Sequence, residues 1–279
     1  QDQIAWGGLR LTLSGRHDWA DTENGAEQRD RKFTWRVGGL YMTPIGLAPY
    51  ASYSTSFEPQ IGQVQHVDGS ITGASPSLGR QIEAGGKYQP PGTQILLTAA
   101  WFRIEQTNLL TSIPNSSYST QSGEVRSQGF EAEATVPLPQ GFTLRAAFSH
   151  QNVKTVRDDE TPANIGKGLI GVGKGNAAVN IDWAPQSGPL AGLTLGGGMR
   201  WVDKVYGGSD TNTPSYTLFD ALARYDLGRA DPRLKGVEIG VNAANIFDKT
   251  YLTSCYLNGV GWCWYGQRRT VQGTIGFHW

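Results

Sequence analysis

VEIGVNAANIFDKTYLTSCYLNGVGWCWYGQRRTVQGTIGFHW, residues 237–279, is two alternating stretches joined by a polar, aromatic loop that carries both cysteines of the chain. In the final stretch Val271, Gly273, Ile275, Phe277 and Trp279 fall on one face, and Thr270, Gln272, Thr274, Gly276 and His278 on the other. One face is apolar and the other polar to the last residue. A soluble protein rarely ends on an uncovered aromatic ladder, whereas a transmembrane barrel strand puts that face into lipid. The expectation is an all-β chain, a transmembrane antiparallel up-and-down β-barrel.

The totals agree. The chain has 279 residues, 24 basic and 24 acidic side chains and no net formal charge, so nothing points to nucleic acid as a partner. With 37 Gly, 9 Trp and 11 Tyr against 2 Met, the composition favours strands over helices. No apolar run reaches the roughly 18 residues of a transmembrane helix, so a membrane would have to be crossed by strands. The amino terminus, QDQIAWGGLRLTLSGRHDW, begins in strand-like sequence and has no signal-peptide pattern.

Period-two stretches bounded by turn residues give twelve expected strands, centred near Leu11, Val37, Tyr53, Ala84, Ala99, Ala132, Ala146, Val179, Gly197, Ala221, Val241 and Ile275. Several sort their side chains cleanly. Phe33, Trp35, Val37, Gly39 and Tyr41 oppose Thr34, Arg36 and Gly38, and Phe219, Ala221, Ala223 and Tyr225 oppose Asp220, Leu222 and Arg224. A charge at mid-bilayer on the lipid face costs about 2–4 kcal/mol, and these strands keep their charges off that face. The stretch QILLTAAWFRI at 94–104 is apolar on both sides, so its faces stay unassigned.

Long polar segments near 19–32, 59–78, 107–122, 154–172, 204–214 and 248–265 alternate with short ones: TPIG at 43–46, QPPG at 89–92, PLPQG at 137–141, then 184–192 and 228–236. Such alternation describes a barrel with one outside rim and one periplasmic rim, and it puts the carboxy terminus at the short-turn rim. A soluble β-sandwich would break it with Greek-key connections. Trp6, Tyr41, Tyr88, Trp183, Trp201, Tyr225 and Trp279 stand at strand ends, where interfacial girdles form. Arg16, Arg36, Arg145, Arg200 and Arg224, with Glu83, Glu131, Glu133, Asp182 and Asp220, are expected to form a structural network on the inner face.

An enzyme needs a nucleophile, a base and an orienting group within reach. His17, His66, His150 and His278 are scattered, and Ser149 beside His150 points to the opposite face of a strand. With no GxSxG signature either, the chain is not read as an enzyme.

Six local sequences, SFEP at 56–59, QIEAGGKY at 81–88, FRIEQTN at 102–108, GEVRSQGFEAE at 123–133, YTLFDALARYD at 216–226 and NIFDKTY at 245–251, resemble in order and spacing the barrel of TonB-dependent siderophore receptors. The two cysteines, the Tyr265–Gly266 pair and the terminal aromatic resemble its ferric-hydroxamate branch, the ferrichrome and ferrioxamine receptors. One segment departs: GVGKGN at 171–176 lacks the proline usual there. The resemblance implies a barrel of about 22 strands closed by an amino-terminal plug. Residues 1–279 are then expected to be its carboxy-terminal part, with the plug and the TonB-engaging segment outside it.

It further implies an outer-membrane receptor, monomeric when complete, that binds a ferric siderophore at its extracellular loops and imports it with energy from the TonB–ExbB–ExbD complex. Outer-membrane lipid surrounds it, and it has no role with nucleic acid. Iron travels inside the siderophore, whose own groups satisfy it, so no protein ligand to metal and no bound cofactor is expected. A passive porin-like channel, or a receptor for heme, cobalamin or a catecholate siderophore, is the alternative. Cys255 and Cys263, in an oxidising compartment and close in sequence, are expected to form a disulfide; as a metal site the pair lacks further ligands. Trp264 and Tyr265 are the leading ligand-binding candidates, with Trp262 and Tyr256 beside them, and Tyr118, Tyr206 and His66 from other long loops.

Overall fold

A computed structural model of the chain describes residues 1–23, 27–112, 117–159, 161–257 and 261–278. Its strands are β1 (Asp2–Trp6), β2 (Leu9–Glu23), β3 (Glu27–Tyr41), β4 (Leu47–Glu58), β5 (Gln63–Gln65), β6 (Ile71–Gly73), β7 (Ser77–Tyr88), β8 (Leu96–Ser112), β9 (Ser119–Pro137) and β10 (Phe142–Arg157). They continue as β11 (Gly175–Trp183), β12 (Leu193–Val202), β13 (Tyr206–Gly208), β14 (Thr211–Asn212), β15 (Tyr216–Asp226), β16 (Val237–Ala244), β17 (Leu252–Tyr256), β18 (Trp262–Tyr265) and β19 (Thr270–Phe277). The wall runs β1-β2-β3-β4-β7-β8-β9-β10-β11-β12-β15-β16-β19, in sequence order with no crossover. The remaining strands form hairpins inside long connections.

All twelve expected strand centres fall inside wall strands. β1 is an additional wall strand, paired with β2 from Asp2↔Leu13 to Trp6↔Leu9 across a two-residue turn at Gly7 and Gly8. The segments 19–32 and 107–122, expected as loops, are mostly strand: β2 and β3 still pair at Trp19↔Arg31 and Ala20↔Asp30, and β8 runs on to Ser112. Past the bilayer both faces meet water, so alternation fades while the backbone ladder continues. Hydropathy therefore marks where lipid stops, not where pairing stops.

The chain divides into two compact units. The first comprises residues 1–87, 99–130 and 151–169, and the second 88–98, 131–150 and 170–279. In the first, the register puts Leu11↔Gly39, Leu13↔Val37 and His17↔Phe33 on one face, continued by Val37↔Tyr53 and Gly39↔Ala51. Thr12↔Gly38 and Ser14↔Arg36, continued by Gly38↔Ser52 and Arg36↔Ser54, occupy the other. In the second, Leu195↔Ala223, Ala223↔Val241 and Val241↔Gly273 form one of several apolar rows, and Tyr225↔Ile239 and Ile239↔Ile275 form the next. The polar face of the same strands carries Asp182↔Gly196, Gly196↔Leu222, Leu222↔Asn242 and Asn242↔Gln272.

Val271, Ile275 and Phe277 are 63%, 65% and 63% exposed, the condition of a surface meant for lipid. Trp279, expected at the end of that ladder, lies outside the described residues. No helix among the described residues is long and apolar enough to cross a membrane.

Short turns are built for sharp reversal. Gly46 (φ +84°) closes its turn by donating to the Thr43 carbonyl at 3.1 Å, a left-handed position that suits glycine. At the neighbouring strand ends Trp6, Tyr41 and Tyr88 stand exposed. Trp183 donates its indole N–H to the Gln140 carbonyl at 3.1 Å and stacks on Phe142, an amphipathic aromatic placed at an interface. The strand after GVGKGN pairs regularly on both sides, from Phe142↔Trp183 to His150↔Gly175 and from Asn176↔Val202 to Trp183↔Leu195. Loss of a proline there does not shift its register. The His278 amide donates to the Gly236 carbonyl at 2.7 Å, which holds the end of the chain at the short-turn rim.

Candidate functional site

In the second unit, the long connection between β16 and β19 begins with a clasp. Asn245 is buried and left-handed (φ +50°), a conformation that asparagine tolerates better than most residues. Its amide N–H donates to Asp220 Oδ1 (2.9 Å), its Nδ2 to the carbonyls of Lys249 (2.8 Å) and Gln267 (3.2 Å), and its Oδ1 accepts from the Lys249 amide (2.9 Å). One side chain thus ties the outgoing and returning arms of the loop. Asp248 repeats the tie from its own side, accepting from Arg268 Nε (2.8 Å), Arg268 Nη2 (2.5 Å) and the Arg269 amide (3.0 Å). The Arg268 guanidinium, helped by the Arg269 amide, holds the Asp248 carboxyl well below the usual carboxylate range.

Above the clasp, the Tyr251 ring covers Gly266 and lies 4.3 Å, centroid to centroid, from Tyr216. β17 and β18 then form the outer hairpin, with Cys255 directly opposite Cys263 and the two joined by a disulfide. Tyr256↔Trp262 and Ser254↔Trp264 are register partners, so Tyr256, Trp262 and Trp264 share one face. Tyr265 points to the other, the side of Cys263. Trp262, Trp264 and Tyr265 are all exposed, while Cys255 is buried.

Tyr206 reaches this hairpin through its own. Gly207 packs against Cys255, its carbonyl accepts from the Leu257 amide (2.7 Å), and Ser209 Oγ donates to the Leu257 carbonyl (3.2 Å). The β13–β14 hairpin therefore braces the disulfide from behind, leaving the Trp262–Trp264 face open. Of the seven ligand candidates, the structure brings Tyr256, Trp262, Trp264, Tyr265 and Tyr206 into one connected loop assembly.

His66 and Tyr118 belong to the first unit. His66 shapes the β5–β6 turn: its Nε2 lies 2.8 Å from Thr72 Oγ1 and its amide donates to the Ser70 carbonyl (2.9 Å). In the same turn the Ser70 hydroxyl and amide hold the Asp68 carboxyl below its ordinary range. Tyr118, half-buried, precedes the parallel bridge Val64↔Ser119.

The wall carries the expected ionic network in part. In the second unit Arg145 pairs with Asp182, Arg200 with Asp220 (2.5 Å) and Arg224 with Glu238 (3.5 Å). Gly196 on β12 keeps room for this layer, since a β-carbon there would meet Asp182 Oδ1 at 2.5 Å. In the first unit Arg16 pairs with Asp18 along its own strand (2.9 Å), and Glu83 accepts from the Tyr50 hydroxyl (2.7 Å). The densest charge cluster was not anticipated. Glu105 accepts from Arg80, Arg103 and Arg126, and Arg80 also lies 3.9 Å from Glu124. Its sequence signal was present in FRIEQTN and GEVRSQG, but the undecided faces of β8 hid it.

A family model described as TonB dependent receptor-like, beta-barrel, matches residues 1–246. The chain is 36% identical over 293 residues to the ferrichrome outer membrane transporter/phage receptor of Escherichia coli K12, covering 99% of this chain and 37% of that protein. It is 34% identical to the ferrioxamine B receptor of Salmonella typhimurium, covering 99% and 39%. Among solved structures, the pyoverdine outer membrane receptor of Pseudomonas aeruginosa PAO1, bound to pyoverdine, superposes with a TM-score of 0.77 at 25% identity, covering 99% of this chain and 41% of that one. The chain thus spans about two-fifths of the length of each of these three proteins.

Proposed function

We infer a function from one premise: the chain belongs to the TonB-dependent receptor-like β-barrel family. We propose that it is the carboxy-terminal part of the barrel wall of an outer-membrane receptor that captures a ferric siderophore, hydroxamate in type, at its long-loop rim. The plug and the segment that engages TonB belong to the portion of the receptor outside this chain. Coverage of about two-fifths of the ferrichrome and ferrioxamine receptors supports that division, and the ligands those receptors are named for support the hydroxamate class.

The observation that carries the reading is the aromatic face of the β17–β18 hairpin. Tyr256, Trp262 and Trp264 stand together, two of them exposed, on a hairpin fixed by a disulfide and clasped to the wall below by Asn245 and Asp248. A preorganised aromatic surface binds a bulky, partly apolar ligand with little ordering cost. The siderophore brings iron already coordinated, so shape, hydrogen bonds and ring contact select it. Tyr265 and Tyr206 flank this surface, and Tyr118 and His66 lie in long connections of the first unit. Transport is then driven from the periplasm through TonB.

The test is a titration of the complete receptor with ferric ferrichrome, ferric ferrioxamine, heme and cobalamin, read by tryptophan fluorescence. Saturable quenching by a ferric hydroxamate is expected. Tight binding of heme or cobalamin with no response to either hydroxamate would overturn the ligand class. Steady ion conductance of the reconstituted receptor, with no binding at all, would replace the reading with a passive channel.

A further inference from the structure

Charge at the short-turn rim is gathered in one place. Gly7–Gly8, TPIG at 43–46, QPPG at 89–92, PLPQG at 137–141 and APQSGPLAG at 184–192 contain no charged residue. The connection after β15, residues 227–236, holds Arg229, Asp231, Arg233 and Lys235. All these turns meet the same solvent, so solubility alone does not account for the segregation.

The charged connection is a built platform in the second unit. It consists of two short 3-10 turns, Leu227–Arg229 and Pro232–Leu234. Asp226 Oδ1 accepts from the Gly228 amide and Asp231 Oδ1 from the Arg233 amide, each at 2.9 Å, so both carboxylates are directed onto the backbone of the turn. The Leu227 carbonyl accepts from the amides of Ala230 (3.0 Å) and Asp231 (2.9 Å). The neighbouring turn is locked to it, because the Asp226 amide donates to the Gly192 carbonyl (3.0 Å) and the stem of Arg229 packs against Gly192.

The cations are left outward. Arg229 has a side chain 60% exposed and lies 4.0 Å from Asp226. Arg233 and Lys235 are exposed and, among the described residues, form no ion pair. Exposed leucines accompany them: Leu234 lies between the two, and Leu190 projects from the locked neighbouring turn.

The flanking strands give the level. Tyr225, whose register partner Ile239 is on the apolar face, immediately precedes the platform, and Trp183, with its indole bonded to Gln140, immediately precedes the neighbouring turn. Aromatic residues of this kind stand at the headgroup level of a bilayer. The platform therefore lies beside the headgroups of the periplasmic leaflet. Cations there attract anionic lipid, and their aliphatic stems and adjacent leucines suit the acyl boundary.

We propose that Arg229, Arg233 and Lys235 form a docking site for the anionic headgroup of a phospholipid in the periplasmic leaflet, with Leu190 and Leu234 against its acyl boundary. The site stands at the rim opposite the long loops and does not depend on the cargo proposed for them.

The test uses the complete receptor in nanodiscs of phosphatidylethanolamine with a minor share of phosphatidylglycerol, the anionic probe, with retained lipid read by native mass spectrometry. Preferential retention of phosphatidylglycerol is expected. R229Q/R233Q/K235Q should reduce that retention about tenfold, and K235Q alone, the milder change, about two- to threefold. Heat-modifiable gel mobility verifies folding, and K235Q decides the matter if the triple variant does not fold. Retention unchanged in the folded variants, or no preference in the parent protein, overturns the proposal. Soluble poly-glutamate is the probe for an acidic protein segment as the occupant. Lipid that stays bound in its presence supports the headgroup site, and lipid displaced to the level of the glutamine variant assigns the platform to an acidic polypeptide and overturns it.

Discussion

Tyr251 lies over Gly266 so closely that a β-carbon at 266 would fall inside the ring, and the Gly266 amide donates to the Tyr251 carbonyl at 2.8 Å. The contact sits between the clasp and the disulfide hairpin, so it sets the angle at which the aromatic face is presented. Gly266→Leu must push the ring out toward Tyr216. Ferric-hydroxamate affinity is expected to fall at least tenfold while heat-modifiable mobility of the barrel is unchanged, because the strand pairing of the wall does not run through residue 266.

Removing the disulfide should loosen the same surface without unfolding the wall. On the chain-entropy model, closing so short a loop restricts the unlinked ensemble by roughly 2–3 kcal/mol. C255S/C263S should bind ferric hydroxamate several-fold more weakly, with the loss in a faster off-rate by stopped-flow fluorescence. Thermal unfolding of the wall should not move.

The two faces of β18 make separable predictions. Trp264→Ala and Trp262→Ala are each expected to weaken binding about tenfold, or about 1.4 kcal/mol. Tyr265→Ala, on the disulfide side, should cost less. Equilibrium titration of the three variants decides it, and a larger loss at Tyr265 would place the ligand against the other face.

Much of the wall was legible before any coordinates, for an identifiable reason. A strand between lipid and an aqueous lumen must separate apolar from polar side chains at period two, and the rows through Val241 and Gly273 show that separation carried intact across neighbours. Two things escaped. β8 is apolar on both sides from Leu96 to Trp101, so its period was silent and the face of Glu105 could not be assigned. The clasp of Asn245 and Asp248 was visible only as a familiar NIFDKTY string, because hydrogen bonds to backbone carbonyls of Lys249 and Gln267 leave no pattern in side-chain type.

The lipid face makes its own prediction. Ile275→Arg places a charge on the exposed apolar face of β19, at a cost of about 2–4 kcal/mol at mid-bilayer. Thr274→Arg puts the same charge on the opposite, polar face. The amount of heat-modifiable receptor assembled in membranes should drop for the first and hold for the second.

Acid should spare the clasp longer than an ordinary carboxylate would allow. The Asp248 carboxyl is depressed by Arg268, so its contribution is fully present above the ordinary carboxylate value near 3.8 and is lost only as pH falls through the lower folded-state value. Hydrogen exchange at the Arg269 amide, which donates to Asp248, should stay protected at pH 4. Asp248→Asn should abolish that protection at every pH.

The β5–β6, β13–β14 and β17–β18 hairpins carry their own hydrogen-bond ladders, and the last two form sheets separate from the wall. Each begins and ends at a wall strand whose register is fixed by lipid-side sorting. Such heads can be exchanged or rewritten by descent without re-solving how the protein inserts and folds. On the function proposed above, one wall can thereby carry heads of different ligand preference.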